Sequence, residues 1–215
     1  MTKLSGINHL AFITKDIVGT TRFYRDLLGL ELIAGIGHDG YRHYFFLLGD
    51  GTTQVAFFEY DGARPMNQKF PGNRTSEPLG FDHVSFTVES RAELFNLKDK
   101  LEAAGFDVHG AVDHGLFWSI YFYDPNNIPL EATWAFMEIT NAPAMVDDDP
   151  LPIVAEGTGP QLGHWPAVTT PTPVSEMKAS GGNGLPLRNG LLKQGRVKYV
   201  EGLEPEFVAF IEGNK

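Results

Sequence analysis

Two histidines and a glutamate occur in the kind of sequence that forms short β-strands. His9 and His83 each interrupt an alternating apolar run, and Glu131 stands between apolar neighbours in a later run. Such alternation predicts strands. Two histidines and one carboxylate form the ligand set of a facial iron(II) site, whose other coordination positions stay open. Because a buried carboxylate needs a cationic partner, we predict that these three side chains bind one metal ion.

The two histidines occupy matching positions in an internal repeat. His9 and His83 are 74 residues apart, and each is followed by an amphipathic stretch that ends at a glycine, Gly29 or Gly105. A glycine in this position indicates the C-terminus of a helix. Three strand-like runs follow each helix, so the repeating unit is predicted to be strand–helix–strand–strand–strand (βαβββ). The predicted helices are residues 17–28 and 91–104, and the predicted later strands are residues 31–36, 44–48, 54–60, 106–109, 118–123 and 129–134.

The repeat predicts an α+β fold with a C-terminal extension. Two βαβββ modules, at about residues 5–62 and 79–137, are expected to form a curved mixed sheet around the metal within a domain of residues 1–140. Residues 141–215 contain many glycines, prolines and threonines and show no strong periodicity. Apolar residues such as Trp165 make this segment too apolar for disorder. We expect an ordered arm that packs on the core or on the partner subunit of a homodimer.

The repeat leaves open whether a fourth residue binds the metal. The spacing from His83 to Glu131, applied to His9, leads to Phe57, and the nearest acidic residue is Glu59, two positions further along. Residues two apart in a strand share a face. Glu59 is therefore a candidate fourth ligand, although three ligands are preferred.

Composition argues against several functional classes. The chain has 215 residues, no cysteine and a formal net charge of −10. The lack of cysteine excludes disulfides, thiolate metal ligands and cysteine nucleophiles. A negative charge without a basic stripe argues against a nucleic-acid partner, because phosphate binding needs clustered Lys and Arg. Apolar runs of about 18 residues, which span membranes, do not occur, and the first residues lack the apolar centre of a signal peptide. We expect a cytoplasmic protein with a small-molecule partner.

The residues that precede Glu131 resemble those of a known family. Residues 5–137, with two such modules, resemble the vicinal oxygen chelate superfamily of glyoxalases, bleomycin resistance proteins and extradiol dioxygenases, which pair these modules around one metal ion. Residues 112–131 are similar to the signature of the type I extradiol ring-cleaving dioxygenases, and the matching residues are Val112, His114, Ile120, Tyr121, Asp124, Pro125 and Glu131. Asn127 departs from the signature, which has glycine or proline there. Asparagine is the non-glycine residue that best adopts a positive φ, so the turn can be kept.

The resemblance implies roles for the side chains around the metal. His114 would be an acid–base or oxygen-contacting residue, since histidine carries protons near neutral pH. Tyr121 would donate a hydrogen bond to the phenolate of the substrate or to a metal-bound oxygen. Strand residues are expected to line the substrate pocket, and the candidates are Phe57, Glu59, His109 and Phe117.

The resemblance implies an Fe(II)-dependent dioxygenase for aromatic compound degradation. Its substrates would be dioxygen and a small catecholic or hydroquinone-like aromatic compound. One alternative is a glyoxalase- or epimerase-like lyase or isomerase, in which Mn, Ni, Zn or Co polarises a carbonyl and Glu59 joins the site. Another alternative is a drug-binding resistance protein that binds its ligand without metal, and the His9, His83 and Glu131 set argues against it. The fold alone does not decide between these functions.

Overall fold

A computed structural model of the chain describes residues 4–76, 80–144, 148–161 and 163–213. It divides into two compact units, Met1–His164 and Trp165–Lys215. Both βαβββ modules belong to the first unit.

The first module has the predicted order of elements. Strand β1 (His9–Thr14) is followed by helix α1, which begins as an α-helix at Ile17–Thr21 and continues as a π-helix at Arg22–Leu27. The hydrogen bond from Leu28 N to Phe23 O, 2.9 Å long, shows the wider turn of the second part. The sequence had predicted one regular helix here. Three strands follow, β2 (Glu31–His38), β3 (Tyr41–Leu47) and β4 (Gln54–Tyr60).

The second module repeats this order. Its elements are β5 (Val84–Thr87), α2 (Arg91–Ala103), β6 (His109–Asp113), β7 (Phe117–Tyr123) and β8 (Pro129–Ala135). The prediction placed β6 too early in the chain. Phe106 and Val108 gave a strand-like pattern because both pack against the hydrophobic core, although they precede the paired strand.

The helices of the two modules begin and end in the same way. The side chains of Asp16 and Ser90, again 74 residues apart, each accept a hydrogen bond from a backbone N–H in the first turn of the helix that follows. This is N-capping. Gly29 and Gly105 follow the helices with φ angles of 82° and 85°, a conformation that glycine adopts without strain. The predicted helix ends are confirmed.

Each module forms its own four-stranded mixed sheet. The strand orders are β1-β4-β3-β2 and β5-β8-β7-β6, and in each sheet the first strand of the module pairs in parallel with the last. The α+β architecture is the predicted one, but the eight strands form two sheets and not one curved sheet. Strands β1 and β5, which carry or directly follow the two histidines, are both edge strands.

The hydrophobic core lies on the face of each sheet that the helices cover. It includes Tyr24 and Phe57 from the first module and Leu101, Ile120 and Leu130 from the second module, all of them buried. The cluster is shared, so the two modules pack through these covered faces.

The helices of the two modules, α1 and α2, leave the other face of each sheet uncovered, as the exposure of the described strand residues shows. In β1, His9, Ala11 and Ile13 are exposed, and the residues between them are at least partly buried. In β5, Ser85 and Thr87 are exposed in the same alternating manner. Because alternate residues of a strand share a face, His9 lies on the uncovered face of its sheet.

A buried polar network joins the modules at the β7–β8 turn. Oδ1 of Asp124 accepts hydrogen bonds from the backbone N–H groups of Asn126 and Ile128, at 2.8 and 2.9 Å, which fixes the turn. The Asn126 side chain accepts a hydrogen bond from the Thr14 hydroxyl (2.8 Å) and donates one to the Thr20 hydroxyl (3.1 Å). This part of the signature therefore holds the first module against the second.

Asn127 closes the same turn with a φ of 62°. Its backbone N–H donates to the carbonyl oxygen of Asp124 at 3.0 Å. The prediction that asparagine can replace the glycine or proline of the signature is confirmed.

Among its described residues, 165–213, the second unit contains the α-helices α3 (Arg188–Lys193) and α4 (Pro205–Gly213). The predicted packing of residues 141–215 on the core or on a partner stays a prediction. Within the described ranges, the structure has no helix that combines the length and the apolar composition needed to cross a bilayer.

Candidate metal centre

The centre of the candidate site is a contact between His83 and Glu131. The Nε2 atom of His83 lies 3.0 Å from Oε2 of Glu131, whose side chain is 6% exposed. The sheet register explains the meeting, because Ser85, two residues after His83, pairs with Glu131 across the β5–β8 ladder. Residues in register and residues two apart share a face. Both side chains therefore lie on the uncovered face of the second sheet.

Asp82 fixes the orientation of the His83 ring. Nδ1 of His83 lies 2.6 Å from Oδ1 of Asp82, and an ionised carboxylate only accepts hydrogen bonds, so Nδ1 carries the donated proton. In the neutral ring, Nε2 then turns a lone pair towards Glu131. The lone pair of Nε2 and the carboxylate oxygen of Glu131 would then face each other as two acceptors. A cation must lie between them, either as a second proton on the ring or as a metal ion. A carboxylate behind a histidine commonly orients metal ligands, so these donors fit a divalent cation.

Hydroxyl groups around Glu131 keep its carboxylate ionised. Burial raises the pKa of Glu131, but hydrogen bonds from Ser119, Tyr121 and Ser85, together with the nearby His83, outweigh burial, and the net pKa is lowered. Hydrogen bonds to the charged form have this effect. An ionised carboxylate is the form that binds a metal.

Tyr121 and His114 extend the site outwards from Glu131. Tyr121 pairs with Glu131 across the β7–β8 ladder, and its hydroxyl oxygen lies 2.8 Å from Nε2 of His114. Burial, and then the hydrogen bond to Glu131, raise the pKa of Tyr121 to about 12. The phenol therefore keeps its proton at neutral pH. Tyr121 thus lies between Glu131, its partner across the ladder, and the imidazole of His114, and the three side chains form a continuous row.

Two of the four predicted pocket residues, His109 and Phe117, lie beside this row of side chains. His109 is the register partner of Tyr121 across β6 and β7. Phe117 lies four residues before Tyr121 on the same strand, and the centroid of its ring is 5.1 Å from that of His114. Both residues lie at the uncovered face of the second sheet.

His9 presents the same local arrangement as His83 but in the other sheet. Its Nδ1 atom lies 2.7 Å from Oδ1 of Asn8, the residue equivalent in the repeat to Asp82. An amide oxygen can accept the Nδ1 proton, and Nε2 of His9 then keeps a lone pair. Among the residues that the structure describes, no three His, Asp or Glu side chains are grouped closely enough to hold a metal ion. A single chain therefore brings His83 and Glu131 together without His9.

Glu59 and Phe57 lie on the opposite face from His9. In the β1–β4 register Ala11 pairs with Ala56, as Ser85 pairs with Glu131, so the position equivalent to Glu131 is Ala56. The spacing argument was one residue in error, and a one-residue shift reverses the face of a strand. The first module therefore supplies no acidic ligand at this position.

The surroundings of these two residues agree with that assignment. Phe57 is fully buried in the core. Oε1 of Glu59 accepts a hydrogen bond from the N–H of Ile17 at the start of α1 (2.8 Å), and its Oε2 pairs with Arg42 at 2.9 Å. We therefore include neither residue in the candidate pocket.

The sequence did not indicate that the segment between β4 and β5 contributes residues to the candidate site. Lys69 forms an ion pair with Asp82, and the ring of Phe70 contacts the rings of His109 and Tyr121. Nothing in the periodicity of this segment indicates such contacts. Asp82, directly before His83, matches Asn8 before His9, and this match could have drawn attention to the carboxylate that Lys69 pairs with.

A separate open groove of about 610 Å³ runs along β2. Its lining includes Leu32, Ile36, His38, Arg42 and Tyr44. None of the predicted site residues lies in this groove.

Comparison with known proteins identifies relatives of the two-module unit. The sequence model of the Glyoxalase/Bleomycin resistance protein/Dioxygenase superfamily matches residues 6–132. Biphenyl-2,3-diol 1,2-dioxygenase 3 from Rhodococcus globerulus is 24% identical over 131 residues, which are 61% of this chain and 64% of that enzyme. The match thus spans less than two thirds of the length of this relative.

Solved structures show the same fold. A glyoxylase/bleomycin resistance protein/dioxygenase domain from Frankia sp. EAN1pec is 27% identical, with a TM-score of 0.54, over 62% of this chain and 99% of that domain. The fosfomycin resistance protein FosX from Listeria monocytogenes is 21% identical, with a TM-score of 0.50, over 63% of this chain and 97% of that protein.

Proposed function

Because the chain belongs to the glyoxalase/bleomycin resistance protein/dioxygenase superfamily, we propose that it is a metal-dependent enzyme, specifically an Fe(II) dioxygenase that opens a catecholic or hydroquinone-like ring. The observation that carries this proposal is the row of side chains in contact from His83 through Glu131 and Tyr121 to His114. It combines a metal half-site with a phenol and an imidazole that can act on a substrate hydroxyl. The similarity to a biphenyl-2,3-diol dioxygenase supports the choice of a vicinal diol as substrate.

In this proposal the residues of the chain position the substrate and move its protons. An Fe(II) ion, when bound, supplies charge stabilisation and a common template for the substrate oxygens and dioxygen. Tyr121 keeps its proton; this proton interacts with Glu131 in the free protein and turns to the substrate phenolate when the substrate binds. His114 accepts or returns a proton at the edge of the site. Glu131 stays ionised because hydroxyl groups surround it.

We propose that two copies of the chain complete the metal site. His9 lies on the uncovered face of one sheet and His83 with Glu131 on the uncovered face of the other. In the part of the chain that the structure describes, β1 and β5 are edge strands. A free strand edge can pair with another chain. A second copy that sets its β5 beside β1 brings its His83 and Glu131 towards His9 of the first copy. Twofold symmetry then gives two equivalent sites in a homodimer.

The glyoxalase-like alternative finds less support in the first module. That alternative needs an acidic ligand from β4, yet Ala56 occupies the equivalent position and Glu59 pairs with Arg42 under the helix. A site with three protein ligands leaves more room for two substrates, which a dioxygenase must bind together.

An oxygen-uptake assay tests the proposed function. The protein is loaded anaerobically with Fe(II) and then mixed with air-saturated buffer and a panel of catechols and hydroquinones. We expect oxygen consumption that depends on both Fe(II) and one of these aromatic diols, together with a ring-opened product. A Glu131→Ala variant is the matched negative control, because it removes a ligand without touching the core. Oxygen uptake that is equal in this variant, or none in the iron-loaded parent with any of these compounds, contradicts the proposal.

A further inference from the structure

The segment between the two modules is anchored to the second module at its first end. This segment, residues 66–73, is called the strap below. The backbone N–H of Met66 donates to the carbonyl oxygen of Asn126 (3.0 Å), and the side-chain amide of Asn127 donates to the carbonyl oxygen of Met66 (2.8 Å). Gln68 donates a further hydrogen bond to Asn127 at 3.2 Å. These contacts tie the strap to the β7–β8 turn.

The other end of the strap is anchored beside His83. Lys69 forms an ion pair with Asp82, and the backbone N–H of Gly72 donates to the same carboxylate at 3.0 Å. Pro71 between them is buried. Because Asp82 also holds Nδ1 of His83, the strap and the metal ligand share one carboxylate. The segment is therefore built into the site.

Phe70 lies between these anchors, with its ring against the candidate pocket. Its ring centroid is 5.0 Å from that of His109, with the planes at 87°, and 5.8 Å from that of Tyr121. Phe70 is only partly buried, so its ring retains accessible surface beside the residues that would contact a substrate. A partly accessible ring can pack against a second aromatic ring in an offset or edge-to-face arrangement.

We propose that Phe70 is a specificity-determining residue that packs against the aromatic ring of the ligand and favours catechol-type rings over small aliphatic chelators. The inference rests on the proposed function for the position of the ligand, at the His83–Glu131 site. Planar rings gain from aromatic contacts beyond the area that they bury, whereas an aliphatic hydroxy acid that reaches only the metal gains nothing from Phe70. The strap holds the ring in place, so selection occurs in a preformed pocket.

The test measures the binding of two chelating ligands to the Fe(II)-loaded protein under anaerobic conditions. The probes are 4-nitrocatechol, followed by its absorbance change, and lactate, followed by isothermal titration calorimetry. In Phe70→Ala we expect the dissociation constant for 4-nitrocatechol to rise by about 10- to 100-fold, as for a truncated aromatic anchor. We expect the constant for lactate and the iron content to stay unchanged. Phe70→Tyr should restore catechol binding.

A matched control and a second variant separate the ligand role from a structural role. Phe95→Ala removes a partly exposed phenylalanine from α2, away from the site, and should change neither constant. Phe70→Leu keeps an apolar anchor for the strap but removes the ring, so it should resemble the alanine variant in catechol binding. Equal weakening for both ligands, or loss of iron, in the leucine variant assigns Phe70 to the support of the strap and overturns the proposal.

The remaining outcomes distinguish this inference from the proposed function. If the parent binds 4-nitrocatechol with the expected dependence on Phe70 but consumes no oxygen with any diol, ring opening is contradicted and the role of Phe70 stands. If the iron-loaded parent binds lactate but not 4-nitrocatechol, the aromatic-ring role of Phe70 is overturned.

Discussion

Glu131 occupies in the second module the register position that Ala56 occupies in the first. Ser85 pairs with Glu131 across one parallel ladder, and Ala11 pairs with Ala56 across the other. Both modules therefore have a histidine at the equivalent position, but only the second module has a carboxylate at the equivalent position of its last strand. In the proposed site, one metal ion would receive one histidine from a first module, and a histidine with a glutamate from a second module.

Because of this asymmetry, we predict that metal binding depends strongly on Glu131. Replacing Glu131 with Gln keeps the size of the side chain but removes its charge, so we expect the affinity for Fe(II) to fall by more than about 100-fold, beyond the loss typical of an outer-shell partner. Metal analysis after anaerobic loading and desalting measures this effect. Glu138→Gln, at an exposed glutamate, is the control. An unchanged iron content in Glu131→Gln would remove this residue from the ligand set.

His114 should affect turnover and not metal content. Its Nε2 atom lies 2.8 Å from the Tyr121 hydroxyl, which separates it from Glu131. His114→Ala should therefore keep its iron and lower kcat by about 10²- to 10⁴-fold, the usual weight of acid–base assistance. Oxygen uptake and iron analysis on the same sample separate the two effects. His38→Ala removes an exposed histidine of β2 and should leave both values unchanged. Full turnover in His114→Ala would show that this imidazole has no part in the reaction.

The polar network between the modules should contribute to stability. Asn126 is 2% exposed and hydrogen-bonds to Thr14, Thr20 and Asp124. In Asn126→Ala these buried groups lose a partner, so the free energy of unfolding should fall by about 1–3 kcal/mol. Urea denaturation measures the change, with Asn141→Ala at an exposed position as the control. Equal stability of the two variants would mean that the network is not needed to join the modules.

Asp124 should make stability depend on pH in an unusual direction for a carboxylate. Burial raises its pKa, and the hydrogen bonds that it accepts only partly oppose this. A raised pKa in the folded state favours the protonated form. The contribution of Asp124 to stability is thus full below its unfolded pKa of about 3.9 and declines as the pH rises through its folded pKa.

Comparison with Asp124→Asn isolates this effect. The free energy of unfolding of the parent should decline relative to that of the variant as the pH is raised from 4 towards neutrality. Urea denaturation at a series of pH values measures the difference. A parent that gains stability relative to the variant over this range would show that the pKa of Asp124 is lowered and not raised.

Local features of the fold could be predicted because they depend on nearby residues. The helix ends at Gly29 and Gly105 and the left-handed Asn127 are set by backbone conformations that few residues adopt. The meeting of His83 with Glu131 followed from strand alternation and the repeat.

Other features could not be predicted, because the spacing of residues in the sequence does not determine strand register, the path of a connecting segment or the number of sheets. The assignment of Glu59 failed because the modules differ by one residue between their first and last strands, which reverses the face. The position of Phe70 depends on the path of a segment without periodicity. The sequence also could not show that the strands form two sheets, because the alternation of apolar and polar residues along a strand is the same in one large sheet and in two smaller ones.

The most direct test of the account asks whether His9 and Glu131 act from different copies of the chain. Two differently tagged chains are co-expressed, and the heterodimer is purified through both tags. A His9→Ala chain paired with a Glu131→Ala chain should bind about half of the parental iron, because a twofold dimer then keeps one intact site. A chain that carries both substitutions, paired with a parental chain, should bind none, because each site has lost a ligand. The reverse pattern, no iron in the first heterodimer and half in the second, would place all three ligands in one chain and contradict the shared site.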